Sequence, residues 1–253
     1  MSPQIKLEVC VDSVASALAA ARGGAHRLEL CSSLLEGGIT PSAGLIAAVR
    51  GAVSIGVHVM VRPRGSDFCY SEDEFAVMRR DVLMAGQLGA DGVVFGILDP
   101  DGRVDTTRTA ELVQLAAPMT VTFHRAFDLT RDLFASLAEL QEASVSRVLT
   151  SGGRKTAAEG AETLGRLVAA AAGRIIVMAG GGIRDHNVAA LLKRTGVREI
   201  HAGLRSVVSS PMRYRNEEVI LGAAPILADE HFEVEEREVR SLLQAAEDRD
   251  LQP

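Results

Sequence analysis

The sequence predicts a (β/α)8 TIM barrel of the α/β class, and three observations point there. Short apolar, β-branched runs alternate with Ala- and Leu-rich helical stretches in units of roughly 25 residues. The repeating part occupies about 205 residues, near the compact end of the barrel's usual range. The rival architecture, a doubly wound open sheet, carries a glycine-rich phosphate loop directly after its first strand. This chain reads "EVCVDSVAS" there, without a glycine.

The elements can be justified in order. A first strand, Lys6–Val11, leads into a helix, Ser13–Arg22, that opens after Asp12 and stops at Gly23. A second strand, Arg27–Cys31, precedes the helix Ser42–Val53, introduced by Pro41-Ser42. The third strand, Gly56–Val61, leads to Ser71–Gly89, whose first turn holds Glu72 and Glu74 and so complements the helix dipole. Then come strand Gly92–Phe95 with helix Thr106–Ala117, and strand Thr120–His124 with helix Arg131–Ala143. Strand Arg147–Thr150 precedes helix Thr156–Ala172, stopped by Gly173; strand Ile175–Ala179 precedes helix Asp185–Thr195, stopped by Gly196. The eighth strand is Glu199–Ala202.

After Arg205 the alternation ends. Residues 1–205 are expected to form the barrel, and 206–253 a C-terminal extension of loop, short apolar stretch and terminal helix. Val234, Val239, Leu242, Leu243 and Ala246 can share a face there, packed on the barrel or on a neighbouring subunit.

Composition narrows the function classes. The chain has 253 residues, 47% hydrophobic and 24% charged, with a net charge of −6, which suits a soluble globular protein. No Lys/Arg block marks a nucleic-acid surface, and no run of 18 uncharged apolar residues marks a membrane span. The opening "MSPQIKLEVCVDS" enters a strand at once, so no signal peptide is expected. Cys10, Cys31 and Cys69 form an odd, sparse set, which fits a reducing cytoplasm.

Strand parity directs attention to the barrel interior. Side chains alternate faces along a strand, so Glu8 and Cys10 share one face, and Glu29 and Cys31 share one. His58, Met60 and Arg62 agree in phase, as do Thr120, Thr122 and His124. The alternate residues are apolar and suit the outer helices. The polar set must face inward, where bulky branched side chains usually pack. Buried carboxylates need partners, and Arg62, His58 and His124 are available.

Two structural uses follow: an ion-pair network that plugs the barrel, or a polar cavity at its C-terminal mouth. In the second, Glu8, Glu29, His58, Arg62 and His124 are candidate catalytic acid–base and charge-bearing groups. Cys10 and Cys31, at equivalent ends of adjacent strands about 5 Å apart, suit a soft metal such as Cu(I), with Met60 or a histidine beside them. Glycine-rich turns follow strands six, seven and eight. Gly180, Gly181, Gly182, Gly203 and Arg205, with Arg184 nearby, form an expected anion site. The loop after strand three adds Arg64 and Asp67 to that rim.

The segments "LEVCVDS", "ELCSSLLEGGITPS", "VHVMVRPRGSDFCYS", "GADGVVFGILDPDG", "VTFHRAFD", "LTSGG", "MAGGGI" and "SPMRYRNEEVILGA" together resemble the CutC family of copper homeostasis proteins, in order from Leu7 to about Ala223. The resemblance implies a TIM barrel, a cytoplasmic location, assembly into a homodimer or higher homo-oligomer, and a role in copper handling with no established reaction. It places the family's copper ligands on Cys10 and Cys31. Where relatives carry a further thiol or hydroxyl after strand eight, this chain reads "HAGLRS", keeping only the Arg205-Ser206 pair. Two functions are therefore expected: a cytoplasmic copper-binding protein, or a barrel enzyme acting on a small anionic metabolite, phosphorylated or not. The partner is a metal ion or a small anion, not nucleic acid or membrane.

Overall fold

The computed structural model describes residues 4–214, 216, 218 and 230–248. The part of the expected C-terminal extension on 215, 217, 219–229 and 249–253 lies outside the described residues. Eight parallel strands close into a barrel in chain order: β1 (Lys6–Val11), β2 (Arg27–Leu30), β3 (Gly56–Met60), β4 (Gly92–Phe95), β5 (Thr120–Phe123), β6 (Arg147–Thr150), β7 (Ile176–Gly180) and β8 (Glu199–Ala202). Seven helices wrap it: α1 (Val14–Arg22), α2 (Ala43–Ala52), α3 (Glu72–Gln87), α4 (Thr106–Ala116), α5 (Leu133–Glu142), α6 (Ala161–Ala171) and α7 (Asp185–Thr195).

The helix starts follow their caps. Ser13, Ser42, Asp105 and Asp132 each accept an amide hydrogen bond from the first turn, and Ser71 forms a reciprocal capping box with Glu74. The largest departure from the expected starts is α6, which begins at Ala161 rather than Thr156. Gly160 packs so tightly on Ser151 that a Cβ there would lie 1.8 Å from the Ser151 carbonyl oxygen. The Ala157 amide meanwhile donates to Gly181, holding the preceding turn to the next strand.

Beyond the barrel, β9 (Arg205–Ser209) and β10 (Glu230–Val234) pair antiparallel. A final helix, α8 (Glu236–Glu247), packs against α1 and α7, over the seam where β1 meets β8. Val239, Leu242 and Ala246 are buried there. Gly23 permits the close approach, since a Cβ on it would sit 2.5 Å from that of Val239. The Val234 amide donates to Ser16 Oγ, tying β10 to α1.

Register decides what meets inside. Moving to the neighbouring strand's partner and stepping one residue forward returns, after all eight strands, to the starting residue. Inward side chains therefore stack in levels of four drawn from alternate strands. From the N-terminal end these are Arg27, Gly92, Arg147 and Glu199; then Glu8, His58, Thr122 and Met178; then Glu29, Val94, Leu149 and His201; then Cys10, Met60, His124 and Gly180. The apolar core proper lies outside the barrel, between strands and helices.

Candidate functional site

The two lower levels are filled by an ion-pair network. Arg27 donates through Nε to Glu8 and through Nη2 to Glu199 at 2.8 Å; Arg147 donates to Glu199 at 2.6 Å and to Thr122 Oγ1 at 3.2 Å. All four charged groups are at least nine-tenths buried. Burial opposes ionisation of Glu8, but the Arg27 guanidinium, helped by His201, holds its carboxyl far below the usual carboxylate range.

Above this floor the chemistry changes from paired to reactive. His201 Nδ1 donates to Glu8 Oε1 at 2.8 Å, and its Nε2 lies 3.8 Å from Glu29 Oε2. Cys31 Sγ donates to Glu29 Oε2 at 3.5 Å, and the Cys10 and Cys31 sulfurs are 3.8 Å apart. Met60 and Val94 complete a small cluster with the two thiols, separate from the main core. The donor atoms of Cys10, Glu29 and Cys31 all lie within 4.8 Å of one another, as do those of Glu8, Glu29 and His201.

Charge balance explains the protonation states. The Cys31 hydrogen bond, assisted by His201, outweighs burial and lowers the Cys10 thiol to about 5. The bond to Cys10 and burial push Cys31 well up. Burial raises Glu29 well above the carboxylate range, with His201 only partly offsetting it. His201 is disfavoured as a cation by burial, yet Glu29, Cys10 and Glu8 raise it well above the usual imidazole value. Burial set against the neighbouring charges and hydrogen bonds thus fixes the direction of each shift.

These groups open into a cavity of about 560 Å³ at the C-terminal mouth. Among the expected acid–base groups, Glu29, Arg62 and His124 line it, whereas Glu8 and His58 lie below, in the network's second level. Arg62 is largely committed to carbonyls: Glu36 at 2.8 Å, Gly38 at 3.0 Å and Ser66 at 2.7 Å. His124 Nδ1 accepts the Ala126 amide at 3.2 Å, and burial together with Arg62 lowers the imidazole to about 3. Burial, offset in part by Glu8, likewise lowers His58 to about 4.

Of the expected anion group, Gly181, Gly182, Gly203 and Arg205 reach the cavity wall, while Gly180 sits beneath Leu149. Arg64 turns away to Glu74 and Asp67. Cys10 lines the cavity; Cys31 is fully buried behind it.

Arg27, Arg147, Glu199 and His201 belong to the network or the site but were not among the residues singled out from sequence. The same parity rule, applied to strands six and eight, identifies Arg147, Glu199 and His201 as inward. Gly92 and Gly96 carry a second signal. A Cβ on Gly92 would lie 2.6 Å from His58 Nε2, and one on Gly96 2.6 Å from His124, so β4 and the residue just beyond it make room for both imidazoles.

The CutC family model matches residues 5–206. A copper homeostasis protein cutC homolog of Mus musculus is 50% identical over 218 residues, 86% of this chain and 80% of its own length. A CutC family protein of Chromobacterium violaceum is 48% identical over 239 residues, covering 94% of this chain and 97% of its own. A solved CutC structure from Streptococcus agalactiae superposes with a TM-score of 0.75 at 32% identity, covering 78% of this chain and 98% of that one. Thiamine phosphate pyrophosphorylase from Pyrococcus furiosus, at TM-score 0.59 and 18% identity, shares the fold alone.

Proposed function

We propose, from the premise that this chain belongs to the CutC family, that its barrel mouth binds Cu(I) through Cys10 and Cys31 in the service of copper homeostasis. The observation that carries this reading is the sulfur cluster: two thiols 3.8 Å apart, beside Met60, at the base of the cavity. Soft thiolate and thioether donors favour Cu(I) over harder ions.

The donor set fits one ion. With metal–thiolate bonds of about 2.3 Å, two sulfurs 3.8 Å apart subtend an angle of about 110° at a shared metal. That bent geometry leaves room for a third ligand, which Met60 or His201 would supply from the same mouth. The Cys10 thiol is held low beside Cys31, and metal binding displaces the proton that Cys31 still carries. The thiols stay reduced and available in a reducing cytoplasm, the location this reading requires.

Anaerobic titration with Cu(I) against a competing chelator tests the proposal. Wild-type protein should take up one equivalent per chain, more tightly as pH rises, because binding releases a proton. Cys10→Ser with Cys31→Ser should lose that equivalent, while Cys69→Ser, at an exposed position, should keep it. Retained stoichiometric binding in the double variant would show that the thiols are not the site.

A further inference from the structure

The cavity is larger than one ion requires, and its volume falls in the range of small-molecule sites. Its rim is cationic, with Arg62, Arg125, Arg184 and Arg205 along the wall. Two of these are engaged elsewhere. Arg62 clasps three backbone carbonyls, and Arg125 is bound to Asp128 at 2.8 Å and Ser151 Oγ at 2.7 Å. The other two keep most of their donors. Arg184 gives one N–H to its neighbour Ile183, and Arg205 lies over the Phe232 ring at 5.3 Å. Among the described residues, neither forms an ion pair with a carboxylate.

A second observation points to the same space. His124 is 4% exposed and braced by Phe68, with ring centroids 4.8 Å apart. Because Nδ1 accepts the Ala126 amide, the ring proton belongs on Nε2. That Nε2 is buried and has no hydrogen-bond partner, and the His124 side chain is part of the cavity lining. A buried donor left unpaired is costly, and Gly96 keeps the space beside the ring clear, since a Cβ there would lie 2.6 Å from it.

We infer that the mouth takes a second ligand, a small organic anion whose charged head lies between Arg184 and Arg205 and whose neutral oxygen accepts from His124 Nε2. A phosphate or carboxylate head meets the same guanidinium donors. An inorganic ion held at the rim has no second oxygen group to reach the imidazole. The ligand thus carries an anionic end and, a short carbon chain away, a hydroxyl or carbonyl.

The test is the thermal unfolding of metal-free wild-type protein with glycerol 3-phosphate, glycerate, inorganic phosphate or sodium chloride at matched ionic strength. Working without metal keeps the outcome independent of the copper proposal. Glycerol 3-phosphate or glycerate at millimolar concentration should raise the Tm progressively by binding the native state, and the chloride control should not. Whichever of the two acts identifies the head group. Arg184→Ala with Arg205→Ala should abolish the shift while leaving the ligand-free Tm near wild type. His124→Phe should reduce the shift with the organic probe to that of inorganic phosphate. Absence of a shift with every probe, or a shift that survives in the double arginine variant, overturns the inference.

Discussion

The floor and the mouth of this barrel are built from the same residue types and behave oppositely. Below, each charge faces a counter-charge: Arg27 between Glu8 and Glu199, Arg147 on Glu199 and Thr122. Above, Glu29 Oε1 and His124 Nε2 are buried without partners, and the thiols bond to one another, to Glu29 and to His201. Burial alone therefore does not separate a plug from a site. What separates them is whether the buried charges are paired, His58 Nδ1, 3.9 Å from Glu8, being a floor-level atom without a hydrogen bond. His201 belongs to both, donating down to Glu8 while its other nitrogen faces Glu29 and Cys10.

The comparison breaks most visibly at Arg27. Arg27→Met removes one cation from two buried carboxylates, leaving Glu8 to His201 and Glu199 to Arg147, and should cost about 3–5 kcal/mol of stability in urea titration. A loss under 1 kcal/mol would mean that the floor is not held by charge.

Acid should probe both regions through their histidines. His58 and His124 have folded values near 4 and 3, below the ordinary imidazole value. Lowered values mean that each contributes stability that is fully present above about 6.5 and lost as pH falls toward the folded value. Between pH 7.5 and 5 the unfolded chain gains the proton first, at a cost of about 2 kcal/mol for each ring. His124→Asn should therefore flatten the pH dependence of stability over that window by about 2 kcal/mol relative to wild type. An unchanged slope in denaturant titrations at the two pH values would assign the loss to other groups.

A subtler intrusion is Gly96→Ala, which sets a methyl 2.6 Å from the His124 ring. Overpacking of this kind should cost about 1–3 kcal/mol, read as a lowered Tm.

The smallest stability effect belongs to Glu29→Gln. Because burial raises Glu29 well above the usual carboxylate range, a neutral isostere should change stability by less than about 1 kcal/mol in the same urea assay. If it destabilised the chain as much as Arg27→Met, the upper levels would be a second plug.

Much of this arrangement was legible from alternation alone. Parity placed Glu8, Cys10, Glu29, Cys31, His58, Met60 and His124 on the inner face, and they are buried there. It did not reveal height, because the one-residue stagger between strands is a property of barrel closure rather than of any single strand. Glu8 and Glu29 look equivalent in "LEVC" and "LELC", yet Glu8 shares a level with His58 and Glu29 one with His201. Arg62 matched the inward phase of its strand, but the loops around it supply carbonyls that only the folded chain brings near. From sequence Gly92 is the first residue of a strand and Gly96 has no assigned role. Their purpose shows only once the neighbouring imidazoles are in place.

The β1–β8 seam has a consequence during synthesis. β1 leaves the ribosome first among the strands, and its second neighbour, β8, follows only after nearly all of the barrel has been made. At about 5–20 residues per second, β1 waits roughly 10–40 s with one edge unpaired. Such an edge invites pairing with another nascent chain, so the interval between the first and last strands is when mispairing has its widest opening.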